Sequence, residues 1–498
     1  MALSLKKLAG QTAIYGLSSI IGRFLNYLLV PLYTYKITAA SGGYGVVTNI
    51  YAYTAFLLVL LTFGMETTVF YFANREEVDA RKAFSTSAGA VGLVALFFLL
   101  CCLVFLNPIA SVLGYDAHPE YIAIMATVVA LDAFQAVLFA SLRQQNKAIK
   151  FVALKLAFIF CNIGLNLFIF LLAPCLYERG WSLMSWYNPD YQVGYIFIVN
   201  LICTAGVTFG FIPELKAMRF GIDRQLLKQM LKYTWPLLLF GIIGILNQVA
   251  DKICYRFIVP GQEGEVQLGI YGACVKIAMI IAIFTQAFRY AYEPFVFGGQ
   301  RDKNSPEMQA VVMKYFVMTT LLAFLLVFLY LDIFKYFISS TYWEGLKVVP
   351  IVMMAEIFMG IYFNLSFWYK LNGQTWWGAI FSAIGCAALL AINFIFVPRY
   401  GYMACAWGGF AGYGICMLLS YFVGRVKAPV PYPLKAILGY FALAVGLYFL
   451  SLWLRPDSQV LTYVLNTGLL LVYVAVMLYA ERTQVRQIWQ RLRGVVRL

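Results

Sequence analysis

Apolar positions in this chain run on for twenty and more residues at a time and stop at short charged or Gly/Pro-containing breaks. A hydrocarbon layer about 30 Å thick is crossed by about 20 apolar residues in helical form. Fourteen segments meet that length: 8–35, 44–72, 83–106, 119–141, 151–173, 191–213, 234–259, 268–295, 310–331, 346–369, 375–397, 401–424, 434–454 and 459–480. The pattern predicts an all-α polytopic membrane protein with 14 transmembrane helices and no loop long enough to hold a soluble domain.

The segments also repeat. Sliding the chain along itself until Tyr44-Gly45 meets Tyr271-Gly272 brings Ile50 onto Ile277, Glu66 onto Glu293 and Val69-Phe70 onto Val296-Phe297. The same shift carries the third and fourth segments onto the ninth and tenth. Six helices per repeat preserve orientation, so the two repeats are parallel and related by an axis along the membrane normal. The expected layout is an N-lobe over 1–213, a cytoplasmic inter-lobe loop over 214–233 and a C-lobe over 234–424, with a central cavity between the lobes. Two further helices over 425–480 and a basic tail over 481–498 follow.

Composition sharpens the class. The 498 residues are 62% hydrophobic and 12% charged, with a mean hydropathy of +0.79, whereas soluble domains carry about 25% charged residues. A formal charge of +15 would suggest nucleic acid in a soluble protein. Here most of the Lys and Arg gather in the breaks of one side, which sets that side and both termini in the cytoplasm and leaves no reason to expect a nucleic-acid partner. The most basic interior break holds Lys216, Arg219, Arg224, Lys228 and Lys232, and Trp181, Trp186 and Tyr187 in an outer break suit the interfacial aromatic belt. The ten Cys have no metal-ligand or redox spacing and read as small apolar packing residues. Lys6 and Lys7 before the first run imitate a signal peptide, but the run is too long and more spans follow, so it stands as helix 1.

Chemistry has to come from charges carried into the apolar layer: Arg23, Lys155, Lys252, Arg256, Lys276 and Arg289 against Glu66, Asp132, Asp251, Glu293 and Glu356. An Arg at mid-membrane costs about 2.5–3.5 kcal/mol even on the lenient insertion scale, so Arg23 should face a wet cavity or a buried partner. Either it pairs with Asp132 at similar depth, or its planar guanidinium receives diphosphate oxygens. Lys155 and Arg256 lie near segment ends and read as snorkelling side chains. Asp251 and Lys276 lie at matching distances from the outer ends of consecutive antiparallel helices and predict a buried pair, either structural or a gate. Arg289 and Glu293 are one turn apart and can pair with each other. Glu356 is either a proton-coupling residue or a partner for Lys276. Pro31 and Pro236 predict kinks, and Gly408, Gly409, Gly412 and Gly414 predict close helix packing. There is no phosphate-binding GxxxxGK loop and no Cys/His cluster, and the one histidine is His118 in an outer break, so no metal or cofactor is expected.

The run Gln11-Thr-Ala-Ile-Tyr-Gly-Leu-Ser-Ser-Ile-Ile-Gly-Arg23-Phe24, followed by Val30-Pro31-Leu32-Tyr33-Thr34, Tyr44-Gly45 and Phe63-Gly64-Met65-Glu66-Thr67, resembles the start of bacterial polysaccharide flippases, relatives of the O-antigen flippase. Gly269-Ile-Tyr-Gly-Ala with Lys276, and Ala287-Phe-Arg289-Tyr-Ala-Tyr-Glu293-Pro294-Phe295, is similar to their eighth helix. These proteins belong to the multidrug, oligosaccharidyl-lipid and polysaccharide exporter superfamily. The resemblance implies a transporter, not an enzyme, that moves an undecaprenyl-diphosphate-linked oligosaccharide across the bacterial inner membrane by alternating access for surface polysaccharide biosynthesis. It implies the lipid-linked oligosaccharide and membrane lipids as partners, leaves H+ or Na+ coupling open, and adds other polysaccharide assembly proteins. Under it, Arg23, Lys276 and Lys252 meet the diphosphate, and Asn26, Asn247, Gln248 and Tyr271 meet the sugars. Asp251, Glu356, Asp132, Glu66, Arg289 and Glu293 are the ion-coupling or gating candidates. Helices 13 and 14 would shape a groove for the lipid tail. Three rivals stand beside this reading: a cation-coupled exporter of small drugs, a lipid II flippase and a membrane enzyme of glycan assembly. The second expects several arginines in the first lobe, where Arg23 is the one Arg within the first six segments, and the third expects a large outer loop that the chain lacks.

Overall fold

The fold is that of a computed structural model, which describes residues 24–25, 27–217, 221–297 and 306–482. Among these, every regular element is helical. A short helix α1 (Leu29–Lys36) is the described end of the first predicted segment; Arg23 and Asn26 lie outside the described residues. Thirteen helices among the described residues are long and apolar enough to cross a membrane. They are α2 (Gly43–Ala73), α3 (Ala80–Val104), α4 (Glu120–Gln144), α5 (Ala148–Glu178), α6 (Gln192–Gly210), α7 (Arg224–Ile258), α8 (Gly261–Phe297), α9 (Pro306–Leu329), α10 (Ser340–Leu371), α11 (Trp376–Tyr400), α12 (Tyr402–Lys427), α13 (Leu434–Trp453) and α14 (Gln459–Ala480). The chain is a multi-pass all-α membrane protein.

Helix α7 begins ten residues before its predicted start at 234, so the basic break between α6 and α7 is shorter than expected. The cause is local. Asp223 accepts hydrogen bonds from the amides of Gln225 and Leu226, both at 2.9 Å, and caps a helix that the basic residues then continue. Lys82 closes the cap from the other side, 2.5 Å from Asp223. Lys82 and the two amides hold the Asp223 carboxyl below the usual aspartate range.

The chain divides into two compact units. The first comprises Met1–Lys276, Ile338–Gly345 and Ala379–Gly412. Its core is small: Ala83, Ala88, Val91, Val129, Ala133, Val137 and Met230 lie buried where α3, α4 and α7 meet α2. On α3 the larger side chains Leu93, Leu96, Phe97 and Leu100 are exposed, spaced at three and four residues. Such an inversion, small residues inside and large apolar ones outside, is what a helix facing lipid requires. Helix α2 breaks at Phe63-Gly64, both in the left-handed region with φ of 35° and 72°. Gly64 accepts this without strain, and the Phe63 carbonyl freed by the break takes the hydroxyl of Thr234 from α7. At the other end of α2, Gly45 meets α8 backbone to backbone. A Cβ at Gly45 would overlap the Glu265 carbonyl, and one at Gly269 would lie 2.9 Å from the Gly45 nitrogen. The Tyr44-Gly45 and Gly269-Ile-Tyr-Gly272 motifs therefore face each other.

The second unit comprises Ile277–Phe337, Leu346–Gly378 and Tyr413–Leu498. Here α9 packs against α10, α13 and α14. Polar bonds run the length of α9: Lys314 reaches Glu481 at 2.7 Å, with Tyr315 donating to the same carboxylate at 3.0 Å. Tyr473 donates to the Met318 carbonyl at 3.0 Å, and Arg455 reaches Asp332 at 2.8 Å. The two C-terminal helices are thus tied to α9 at both ends and in the middle. All ten cysteines are free thiols.

Candidate functional site

Among the described residues, buried charge gathers in the first unit at two places, separated along α2 by the stretch from Asn49 to Glu66, about 25 Å of helix. The first place is made by the α2 break. Because a new helix begins at Met65, Glu66 stands in its first turn, where unpaired backbone N–H groups favour a carboxylate. Arg143 of α4 faces it at 3.4 Å, with the two side chains 39% and 44% exposed. Lys155 of α5 stands 4.1 Å above the Phe139 ring, within electrostatic reach of Asp132, Glu66 and Arg143. Asp132 and Asn200 share the Thr204 hydroxyl, each at 3.4 Å, and Asn200 donates to the Tyr51 hydroxyl at 2.9 Å. Gln135 fixes α6 by donating to the Thr204 carbonyl and the Thr208 hydroxyl, both at 2.8 Å.

The second place is the α7–α8 pair. Asp251 receives Lys252 at 3.0 Å on both oxygens and the Tyr271 hydroxyl at 2.8 Å. The Lys252 ammonium also donates to the Gln248 carbonyl at 3.1 Å, and the Lys252 carbonyl accepts from Asn49 of α2 at 2.7 Å. Tyr115 closes this strut by donating to Asn49 at 2.8 Å. Arg256 reaches Glu265 at 2.7 Å, donates to the Gly114 carbonyl and stacks 3.9 Å over Tyr115. Lys276 lies farther along α8. It is half-buried, Lys252 bears on it electrostatically, and among the described residues it has no hydrogen-bond or ion-pair partner.

Several expectations change. The Asp251–Lys276 pair does not form: Lys252, the next residue, takes both carboxylate oxygens, and Tyr271 adds a hydrogen bond to one of them, so Lys276 is left over. Arg256 does not snorkel but is locked onto Glu265 across the α7–α8 turn. Lys155 does not snorkel but joins the carboxylates Glu66 and Asp132, and Arg143 of α4 joins them too. Asn247 is buried, and its amide nitrogen donates to the Ile243 and Ser382 carbonyls at 3.1 and 2.8 Å, bracing α7 against α11. Tyr271 is likewise buried against Asp251, so of the sugar-meeting candidates on α7 and α8 it is Gln248 that is exposed. In the second unit Arg289 stands 4.9 Å over the Phe363 ring and Glu356 is half-buried on α10. The Glu293 side chain lies outside the described residues, and with it the expected pair with Arg289. Among the described residues no group of three His, Cys, Asp or Glu could hold a metal.

The polysaccharide biosynthesis protein family matches residues 8–291, more than half of the chain and all of both charged places. The chain belongs to this family. Glu356 and the α13–α14 hairpin lie beyond the matched region. A search of curated protein sequences finds no match. Among solved structures, the lipid II flippase MurJ in an inward closed conformation is similar at 13% identity and a TM-score of 0.69, covering 94% of this chain and 99% of its own. An inward-facing multidrug resistance MATE transporter of the MOP superfamily gives 12% identity and a TM-score of 0.61, covering 81% and 94%. An outward-facing multidrug resistance MATE transporter of the same superfamily gives 13% and 0.56, covering 84% and 95%. The chain shares the fold of these structures.

Proposed function

We propose that the protein is a flippase for a lipid-linked oligosaccharide, an undecaprenyl-diphosphate glycan, working by alternating access in the bacterial inner membrane with both termini cytoplasmic. Lys276 carries the reading. A half-buried ammonium without a partner is costly, and a doubly negative diphosphate supplies the missing charge. At an effective dielectric constant of about 20, each charge pair at 4 Å contributes about 4 kcal/mol, and the same term repels a cationic drug. This weighs against the multidrug alternative. Lys252 stays on Asp251 and adds its positive charge to the site from there, and Gln248 is the sugar contact. Arg23 keeps its assignment as a guanidinium for the diphosphate and Asn26 as a polar contact for the glycan. Ion coupling belongs with Glu66 and Asp132, whose long contacts leave them free to exchange protons or partners.

The test is export in cells lacking the gene. Complementation with Lys276→Gln should lower surface glycan at least about tenfold, as expected when one charge-assisted contact is lost, while Lys276→Arg should restore most of it. Normal export by Lys276→Gln at matched protein levels contradicts the assignment. Drug tolerance on overexpression, with surface glycan unchanged by deletion, points to the exporter instead.

A further inference from the structure

The connection between α5 and α6, residues 179–191, has no equal in the other half of the chain. Under the six-helix repeat, α5 and α6 correspond to α11 and α12, which are joined by Gly401 alone. A long connection kept in one half and dispensed with in the other asks for a use. Its residues are closely held. Tyr187 and Tyr195 are buried and stack with ring centres 5.4 Å apart and planes 5° from parallel, which takes Tyr187 out of the interfacial belt expected of it. The Tyr195 hydroxyl accepts from the Asn188 amide at 2.7 Å and donates to the Trp186 carbonyl at 3.5 Å. The Asn188 side-chain oxygen accepts from the Asp190 amide at 3.0 Å. Trp186 stands edge-on to both tyrosines, at 6.1 and 6.0 Å and 84° and 85° from their planes. It is nonetheless 51% exposed, so the ring is fixed in orientation and half open to solvent.

Two polar side chains share this turn. Asn188 keeps its amide nitrogen as a donor, and Asp190 offers a carboxylate that forms no ion pair among the described residues. Both are exposed. The charges of the connection and its edge are Glu178 and Asp190 against Arg179, a balance that disfavours anionic headgroups and suits a neutral ligand rich in hydroxyls. A sugar ring has that chemistry: its C–H face carries the partial positive charge that an indole face attracts, and its hydroxyls both donate and accept. A pre-oriented ring loses little entropy on binding. Helix α6 runs from this connection to the basic break before α7, so in the topology proposed above the connection faces outward. We infer that Trp186, braced by the Tyr187–Tyr195 stack, forms with Asn188 and Asp190 a binding site for a neutral sugar ring, which receives the glycan as it emerges. The choice of glycan rests on the flippase reading.

The experiment uses the full chain in lipid nanodiscs. The probe is the surface oligosaccharide of the source cells, cut from its carrier by mild acid and freed of lipid and phosphate, with saturation-transfer NMR and calorimetric titration as readouts. The parent should bind it saturably, and Lys276→Gln should bind it equally well, because the probe carries no diphosphate. Trp186→Ala should weaken binding about tenfold, Trp186→Phe should recover part of the loss, and Asp190→Ala should weaken binding about threefold. All three variants should melt close to the parent, since the altered side chains are exposed. Unchanged binding in both Trp186→Ala and Asp190→Ala overturns the site. So does absence of binding by a parent that flips lipid-linked glycan in proteoliposomes, a result that leaves the flippase reading standing. Quenching of the Trp186 emission, taken as the difference between the parent and Trp186→Phe, by brominated lipid and not by iodide would place the ring in the bilayer and overturn the sugar as its occupant.

Discussion

The two charged places of the first unit use the same kinds of residue to opposite ends. At the α7–α8 pair, carboxylate and cation meet at 2.7–3.0 Å with side chains no more than 20% exposed, and hydrogen bonds from Tyr271 and Asn49 complete the set. Near the α2 break, Glu66 and Arg143 stand 3.4 Å apart and about two-fifths exposed, with Lys155 held over a ring rather than on a carboxylate. Desolvated pairs with short contacts are expensive to break; loose, wet pairs contribute little. The contacts at the α7–α8 pair therefore hold α7, α8 and α2 together, and those near the α2 break are loose enough to change partners. Lys276 belongs to neither, and among the described residues it has no hydrogen-bond or ion-pair partner, which is why the proposed ligand contact rests on it.

The contrast can be broken most sharply at Asp251. Asp251→Ala should destabilise the purified protein by about 3–5 kcal/mol, because Lys252 is left buried without a carboxylate; a melting temperature close to the parent's would mean that the pair is not structural. Gly45→Ala comes next. Its added methyl meets the Glu265 carbonyl, so α2 and α8 must separate, with an expected loss of about 1–3 kcal/mol in the same melting assay. Glu66→Gln sharpens the other side: stability should change by less than about 1 kcal/mol while export falls severalfold, and a large melting shift would place Glu66 with the structural pairs. The smallest effect is expected at Asp223→Asn. The depressed Asp223 carboxyl contributes stability above its ordinary range and loses it as the pH falls through its folded value. Parent and variant should thus differ slightly at neutral pH and converge in acid, which pH-dependent melting can check.

Much of this architecture was legible in the apolar runs, since a lipid environment permits little besides 20-residue helices, and the last two segments agree with α13 and α14 almost residue for residue. What the runs could not convey was the break at Phe63-Gly64. A left-handed pair inside an apolar stretch leaves the hydropathy unchanged, yet it creates the helix start that holds Glu66. The early start of α7 was hidden for the converse reason, because charged residues mask a helix that Asp223 caps. Among the site residues, Asp251 and Lys276 share a depth, but depth alone does not choose a partner: the adjacent Lys252 had the shorter reach. Arg256 and Glu265 had a usable signal, since they flank the Pro260-Gly261 turn at similar distances on antiparallel helices. Lys155 had none, because its partners come from α2 and α4.

The central claim, that Lys276 receives the headgroup of a lipid-linked glycan, is tested most directly by flipping in proteoliposomes. The parent, Lys276→Gln and Lys276→Arg would be reconstituted with a fluorescent undecaprenyl-diphosphate oligosaccharide, and the fraction reaching the opposite leaflet read by an impermeant quencher. The account predicts rapid flipping by the parent, retention of most of it by Lys276→Arg, and loss to near the protein-free rate in Lys276→Gln. Equal rates for the parent and Lys276→Gln, or no flipping by the parent under conditions where it moves a cationic dye, would contradict it.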